Sequence, residues 1–448
     1  MKQFLYVLAA MTHDIGKFAQ RADAPFSREH EDIYCPSGKY KHVLYTDYFL
    51  RHVLPLPKDV EGERERLAHL AAAHHNPDPG SHAELTLRNA DGLSAGGDRI
   101  KGEASGSYKT ARLESVFANI RIHERGLPKG TPPTEYPLCR IDAGDTPIFP
   151  RKDAKEIGSY ASLYADFCDA LKKLPCTLGL THYLTSLTSL LECFTWCIPS
   201  STYGTRADIS LFDHLTTTAA IFQALMHCSD KPRLLLVGGG VSGIQKFIFG
   251  AQGQSDKGAS KLLRARSLYV QALTRSVWLT ILDRLGLFHS AKIMDAGGRF
   301  MLLLPDTPES QNVLKTVQAE TETWLLATFQ GSVRLSFAHI SFTPYDLDRT
   351  RFRDVFDRLN DCLEAAKLTP FATAFANGTS PVLPFKPALY AEHGECEFCH
   401  TRPAEDMMDD VATCPLCRKL SVEIGRKLPK SDLLLFEKSA KSPQAVPL

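Results

Sequence analysis

The stretch PRLLLVGGGVSGIQKFIFG, residues 232–250, decides how the second half of the chain folds. Leu234 to Val237 form a short aliphatic run closed by Gly238, Gly239 and Gly240, the pattern of a buried strand. The following GASKLLRARSLYVQALTRSVWLTILDRLG places Leu262, Leu263, Leu268, Tyr269, Ala272, Leu273, Val277, Leu279 and Leu282 at three-to-four spacing, which predicts a long amphipathic helix. KIMDAGGRFMLLLPD then reads as two strands around Asp295-Ala296-Gly297-Gly298, a turn whose glycines accept positive φ. A helical pattern runs from Pro308 to Thr328, and VRLSFAHISFTP alternates like a last strand. The order β-α-β-β-α-β is that of a ferredoxin-like unit.

The rest of the chain is read outward from this unit. Its 448 residues suggest about three domains with ample core. The net charge of +1 advertises no polyanion partner globally, so any nucleic-acid surface must be local. No run of 18 apolar residues and no leader-like segment is present, which predicts a cytoplasmic chain with no membrane partner. Of the twelve cysteines, all outside one cluster are read as buried thiols, not a disulfide framework.

That cluster is Cys396-x-x-Cys399 and Cys414-x-x-Cys417, with 14 residues between the two pairs. Two such knuckles predict one tetrahedral, structural zinc site with no open position for water. His400 adjoins Cys399 but is unnecessary beside four thiolates, and a redox pair would need only one C-x-x-C.

At the other end, KQFLYVLAAMTHDIGKFA, residues 2–19, reads as a helix carrying His13-Asp14. Neighbours on a helix point about 100° apart, so this pair can straddle a metal only over the helix end, with ligands arriving from elsewhere. His42, His74-His75 and Asp91 are available; His30 and His82 read as surface. Imidazoles with carboxylates suit a divalent transition metal, and metal-activated water suits phosphodiester hydrolysis. Gly96-Gly97-Asp98 lacks the second aspartate of a G-G-D-D signature and reads as loop, as does the Gly-rich stretch after it.

Three ordered motifs, GVSGIQKFIFG, ASKLLRARSLYVQ and GGRFMLLLP, together resemble the first palm domain of the large, Cas-ten-type subunit of type III CRISPR effector complexes, nearest the Csm (III-A) branch. THDIGKF, the later His-His pair and ADGLSAGGDR resemble the HD phosphohydrolase domain that opens those subunits. The resemblance implies an α+β multidomain chain: an all-helical HD domain (1–110), a mostly helical linker (111–231), a ferredoxin-like palm (232–385), a zinc ribbon (386–430), and the start of a connection to a second palm (431–448). It implies that His13, Asp14, His74 or His75, and Asp91 hold one or two ions of Mn, Ni or Co and cleave single-stranded DNA, with Lys17 on the phosphate. Guide RNA and other Csm subunits are the implied partners. The family's second palm, which carries G-G-D-D and makes cyclic oligoadenylates from ATP with Mg²⁺, has no counterpart motif here. The sequence thus reads as a fragment or one half of a split gene, without cyclase activity alone.

Within the palm, Gly240, Ser242 and Gly243 sit at a strand-to-helix junction, where backbone N–H groups hold an anion or a glycine merely packs. Lys257, Lys261 and Arg264 share one helix face with Arg266 nearby, a solvated basic row that the resemblance turns toward phosphate. In the linker, Asp208, Asp213 and His214 stand near a helix start at Ser210, where Asp and Ser favour capping, and read as structural. Two further readings stand beside the nuclease. One is an RNA-binding scaffold with a vestigial HD site, which failure to bind Mn²⁺, Ni²⁺ or Co²⁺ would favour. The other is a free-standing nucleotide phosphohydrolase, which turnover of small nucleotides would favour.

Overall fold

A computed structural model describes residues 1–98, 107–119, 134–142, 144, 147–229, 231–250, 259–380, 387–408 and 410–431. Lys257, most of the Gly-rich stretch after Asp98 and nearly all of 431–448 lie outside the described residues. The chain folds as two compact units, one of Met1–Leu234 with Phe288–Ala291 and Thr343–Arg353, the other of Leu235–Leu287, Lys292–Phe342 and the residues from Asp354 on. No described helix is long and apolar enough to cross a membrane.

The first unit is built around α1 (Lys2–Thr12), buried on most of its circumference by Phe4, Leu5, Val7, Leu8, Ala9, Ala10 and Met11. Such a helix must be wrapped by others. The unit's other helices include α2 (Gly16–Arg21), α3 (His42–Tyr48), α4 (Arg64–Ala72), α5 (His82–Asp98), the pair α6 (Tyr160–Leu171) and α7 (Leu180–Thr195), and α8 (Leu211–Leu225), of which α4, α7 and α8 pack on α1. Ser159 opens α6 with a capping box to Ser162, and Ser210 opens α8 by accepting the Asp213 N–H at 3.0 Å. Although α8 falls in the stretch read as linker, it packs on α1 and α5.

Two local readings are corrected here. Residues 2–19 are two helices, because the chain tightens at His13–Ile15 through three-residue turns, Ile15 N–H to Thr12 C=O and Lys17 N–H to Asp14 C=O. Gly96 and Gly97 belong to α5 and not to a loop. A Cβ on Gly97 would stand 2.8 Å from the Leu347 carbonyl, so close packing requires that glycine.

In the second unit the elements follow the expected order: β1 (Leu234–Ser242), α9 (Ala259–Arg284), β2 (Lys292–Ala296), β3 (Arg299–Pro305), α10 (Pro308–Phe329) and β4 (Arg334–Phe342). The sheet order is β2-β3-β1-β4, with β2 and β3 an antiparallel hairpin turning on Gly297 and Gly298, both at positive φ. Phe300, Leu302 and Leu304 of β3, Leu335 and Phe337 of β4, and Trp278 of α9 are buried. A Cβ on Gly239 would stand 2.4 Å from the Phe300 ring, so the glycine run in β1 is where side chains of its neighbours enter. A second, two-stranded antiparallel sheet, β5 (Asp406–Met408) and β6 (Val411–Thr413), carries the cysteine knuckles.

Candidate functional site

The site in the first unit starts from a close approach of two helices. A Cβ on Gly16 would lie 2.0 Å from the His42 carbonyl, so only glycine lets α2 rest directly on α3. Thr46 locks the contact: its hydroxyl accepts the Gly16 N–H at 3.0 Å and donates to the His13 carbonyl at 2.8 Å. The tight turn after α1 and this glycine together bring His42 Nε2 to 2.9 Å from Asp14 Oδ1. From the end of α4, His74 Nε2 reaches 3.7 Å from the same oxygen, with His75 beside it. Asp91 of α5 lies 3.6 Å from His13 Nε2.

α8 supplies a residue that the sequence reading took as structural. His214 Nε2 stands 3.2 Å from Asp14 Oδ2 and 3.1 Å from Asp91 Oδ1. Asp213 is spent at the helix cap. The signal was present: His214 is buried on a helical face otherwise made of Leu211, Leu215, Thr218 and Phe222. His30, read as surface, instead pairs with buried Asp47 at 2.7 Å, while His82 is exposed.

Two donor sets result, and they share Asp14. Asp14, His42, His74 and His75 form one, His13, Asp14, Asp91 and His214 the other, and within each set the ligand atoms lie within 4.8 Å of one another. His13, Asp14, His74 and His214 are essentially inaccessible, yet His13 Nε2, His42 Nε2, His74 Nε2, His214 Nε2 and Asp14 Oδ1 make no geometrically sound hydrogen bond to the protein. Orphaned buried polar atoms are costly, and five of them, divided between two sets that share Asp14, call for partners the protein does not supply. Carbonyls accept only, so His13 Nδ1, 2.8 Å from the Ala10 carbonyl, and His74 Nδ1, 2.7 Å from that of Ala71, must carry the proton. Their Nε2 lone pairs are thereby left bare and aimed inward, as metal ligation demands. The donor set fits one or two borderline divalent cations.

Electrostatics agree with that use. Burial works against charge on Asp14, but Lys17, His13 and His42 outweigh it and hold the carboxyl well below its usual range; Lys17 Nζ sits directly on Oδ2. Asp91 is likewise ionised: burial is overcome by His13 and His214. Burial, together with the neighbouring imidazoles, pushes His74 down to about 3 and His75 to about 2. His214 moves the other way, because the Asp14 and Asp91 carboxylates outweigh its burial and raise it. His214 therefore takes up a proton more readily than a free imidazole.

A pH prediction follows. In the unfolded chain His74 and His75 take protons near 6.5, whereas the folded protein resists to about 3 and about 2. Between those limits the unfolded state binds more protons, so this stabilisation is complete above about pH 6.5 and is lost as the pH falls. His214 has the opposite sign, contributing below its unfolded value and fading as pH rises through its raised one. With His42, which burial also lowers, three groups outweigh one: without added metal, thermal denaturation should show a falling Tm between pH 7 and 5, less steep in a His75→Gln variant. An equal slope in that variant would refute the assignment.

In the second unit, Cys396, Cys399, Cys414 and Cys417 converge within 4.8 Å. The Cys417 N–H points to Cys414 Sγ at 3.5 Å, Arg266 to Cys417 Sγ at 3.7 Å and Arg402 to Cys399 Sγ at 3.9 Å. Donors of this kind suit thiolates around a divalent ion. His400 is turned away onto Glu395 at 3.2 Å. Arg266, expected to meet phosphate, is corrected: its guanidinium is buried and donates to the carbonyls of Phe247 at 2.7 Å and Phe398 at 3.2 Å. Arg264 is exposed and reaches the Gly425 carbonyl at 3.4 Å, and Lys261 is half-buried on the same helix. Gly243 has φ +86° and a Cβ there would lie 2.9 Å from the Ser332 carbonyl, so backbone geometry accounts for it; Gly240 lies in β1 with Ser242 at its end.

Comparison with known proteins bears on both units. Residues 233–381 match the family described as Csm1 subunit domain B. A protein of Thermococcus onnurineus named CRISPR system single-strand-specific deoxyribonuclease Cas10/Csm1 (subtype III-A) is 27% identical, covering 99% of this chain and 56% of its own. Its namesake in Mycobacterium tuberculosis is 26% identical over 93% of this chain and 56% of its own. The chain thus spans about half the length of the curated relatives it matches. Among solved structures, a Csm1–Csm4 cassette in complex with AMPPNP aligns with a TM-score of 0.61 at 25% identity, covering 83% of this chain and 49% of that one. A Csm1–Csm4 subcomplex of the type III-A CRISPR-Csm interference complex aligns at 0.62 and 24%, a likeness of fold.

Proposed function

We propose that the chain belongs with the Csm1/Cas10 subunits of type III-A CRISPR complexes, which it resembles over nearly all of its own length and about half of theirs, and that its first unit is a metal-dependent nuclease for single-stranded DNA. The observation that carries the reading is the convergence of five orphaned donor atoms on two sets bridged by Asp14. In this reading residues 1–110 are an HD-type domain, 111–231 a helical linker that completes its site through His214, 232–385 a ferredoxin-like palm and 386–430 a zinc ribbon. The partners are guide RNA and other Csm subunits, Csm4 among them. ATP with Mg²⁺ would engage the palm only together with a second one.

His42, His74 and His75 would hold one cation, His13, Asp91 and His214 the other, with Asp14 between them. Divalent ions there would polarise a phosphodiester and acidify water, the chemistry hydrolysis needs. The protein's own groups set this up. Ala10 and Ala71 carbonyls fix two imidazole tautomers, and Thr46 fixes the turn that aims Asp14. Lys17 holds Asp14 ionised and has further N–H donors for a phosphate oxygen.

Degradation of a labelled single-stranded DNA by the purified chain with Mn²⁺ or Ni²⁺ is the test. Cleavage that needs the added ion is expected; no cleavage with any of Mn²⁺, Ni²⁺ or Co²⁺ would transfer the weight to the scaffold reading. A finer prediction concerns His214. His214→Ala should leave the Asp14–His42–His74–His75 set loaded, lower Mn²⁺ uptake by about one ion per chain, and slow cleavage about a hundredfold or more, since even outer partners of metal ligands are worth 10–100-fold. Unchanged uptake and rate would return His214 to a structural role.

A further inference from the structure

Tyr40 stands at the rim of the donor cluster. Its ring stacks on that of His75, with centroids 4.1 Å and planes 23° apart, while 58% of the residue stays exposed. His75 in turn meets His42 edge-on at 5.1 Å and lies 4.1 Å from His74, so a series of rings leads from solvent to the buried donors. The backbone at Tyr40 is left-handed, φ +63°, a conformation that strains a non-glycine residue and is retained where function or packing over-determines it. Its carbonyl accepts the Val43 N–H at 3.1 Å, which ties the turn to the start of α3 and to His42. Lys39 and Lys41 flank it, both exposed, with Lys41 in an exposed ion pair to Glu31 at 3.3 Å.

An outward-facing aromatic ring between two lysines, at the edge of a site that would hydrolyse phosphodiesters, has the chemistry of a single-strand platform. Every base has a π-face, so stacking on an aromatic side chain is sequence-tolerant, and cations beside it follow the backbone. Bases within a duplex are already stacked and cannot use it. We propose that Tyr40 receives one base of a single-stranded substrate beside the scissile phosphodiester, with Lys39 and Lys41 holding the adjacent phosphates. This deepens the nuclease reading and rests on it for the position of the cleaved bond.

The test pairs an oligothymidylate with an abasic oligonucleotide of the same length, using the full chain and its Tyr40→Ala and Tyr40→Phe variants. Equilibrium binding is read by fluorescence anisotropy without added metal, and KM and kcat by cleavage with Mn²⁺. Tyr40→Ala should weaken oligothymidylate binding and raise its KM about tenfold, the scale of one base–aromatic stack. Abasic binding, kcat and Mn²⁺ content should stay unchanged, and Tyr40→Phe should match the wild type. An equal loss on the abasic strand, a fall in kcat or in Mn²⁺ content, or no change at all would overturn the proposal; the first three would make Tyr40 only a prop for His75. If the wild type cleaves neither strand, the nuclease reading fails, and the binding measurement still decides whether Tyr40 stacks a base.

Discussion

Asp14→Asn should abolish metal-dependent cleavage of single-stranded DNA, by about a thousandfold or more, several kcal/mol of transition-state stabilisation. The expectation rests on Asp14 being common to both donor sets, with Oδ1 toward His42 and His74 and Oδ2 toward His214. Asparagine keeps the shape and size but replaces one anionic oxygen with an N–H₂ group that cannot ligate. It also removes the negative charge that offsets Lys17. Both cations should therefore be lost together, where His214→Ala loses one. Elemental analysis after dialysis against Mn²⁺ reads this directly, beside a cleavage assay of the same samples. Uncompensated charge at Lys17 should lower the Tm as well, so the variant's far-ultraviolet circular dichroism at the assay temperature is part of the measurement. A folded Asp14→Asn protein that still takes up both ions and cleaves would remove the bridging role and with it the two-ion site.

Position in the sequence explains which parts of this site were legible. His13, Asp14, His74 and His75 stand out because ligand types recur at helix ends in the first hundred residues, and Asp91 follows within the next helix. His214 comes 123 residues after Asp91, in a stretch whose local chemistry, Ser210 and Asp213 at a helix start, has a sufficient explanation in capping. Only the tertiary placement of α8 on α1 and α5 turns that buried imidazole inward. Gly16 was equally informative and is local: a glycine two residues past Asp14 marks the contact that delivers His42. The second unit's strands and helices were readable because period-two and period-3.6 patterns alternate there with glycine turns. Arg266 shows the limit of that reading. Helical spacing placed it near the basic face, but spacing cannot say that the cysteine knuckles would cover it.

Cys396→Ser should lose the zinc and unfold the knuckle region while leaving DNA cleavage intact. Structural Zn²⁺ contributes apparent binding free energies of about 10–16 kcal/mol in small zinc peptides, so a fold held by it does not survive the loss of a ligand. Regular structure in this segment is slight: β5 and β6 are three residues each, and Cys396, Cys414 and Cys417 are buried there beside Phe398, Val411 and Leu420. The ligands' charges also anchor the segment. Four thiolates around one Zn²⁺ carry a net charge of −2, and Arg266 and Arg402 face that charge while their guanidinium groups lie 5.3 Å from the Phe247 ring and 5.9 Å from the Phe329 ring. Once the metal leaves and thiols take protons, two cations within the second unit lose their counter-charge, and Arg266 is buried. The first unit's donor sets share no residue with this one, so the two metals should be separable. Wild-type protein should hold about one Zn per chain, the variant almost none. Limited proteolysis should open new cleavages between residues 394 and 426, and Mn²⁺-dependent cleavage of single-stranded DNA should continue. A Cys396→Ser protein with full zinc and unchanged protease resistance would refute the four-thiolate site. One that loses both zinc and cleavage would show that the knuckle is needed to keep the first unit's site assembled.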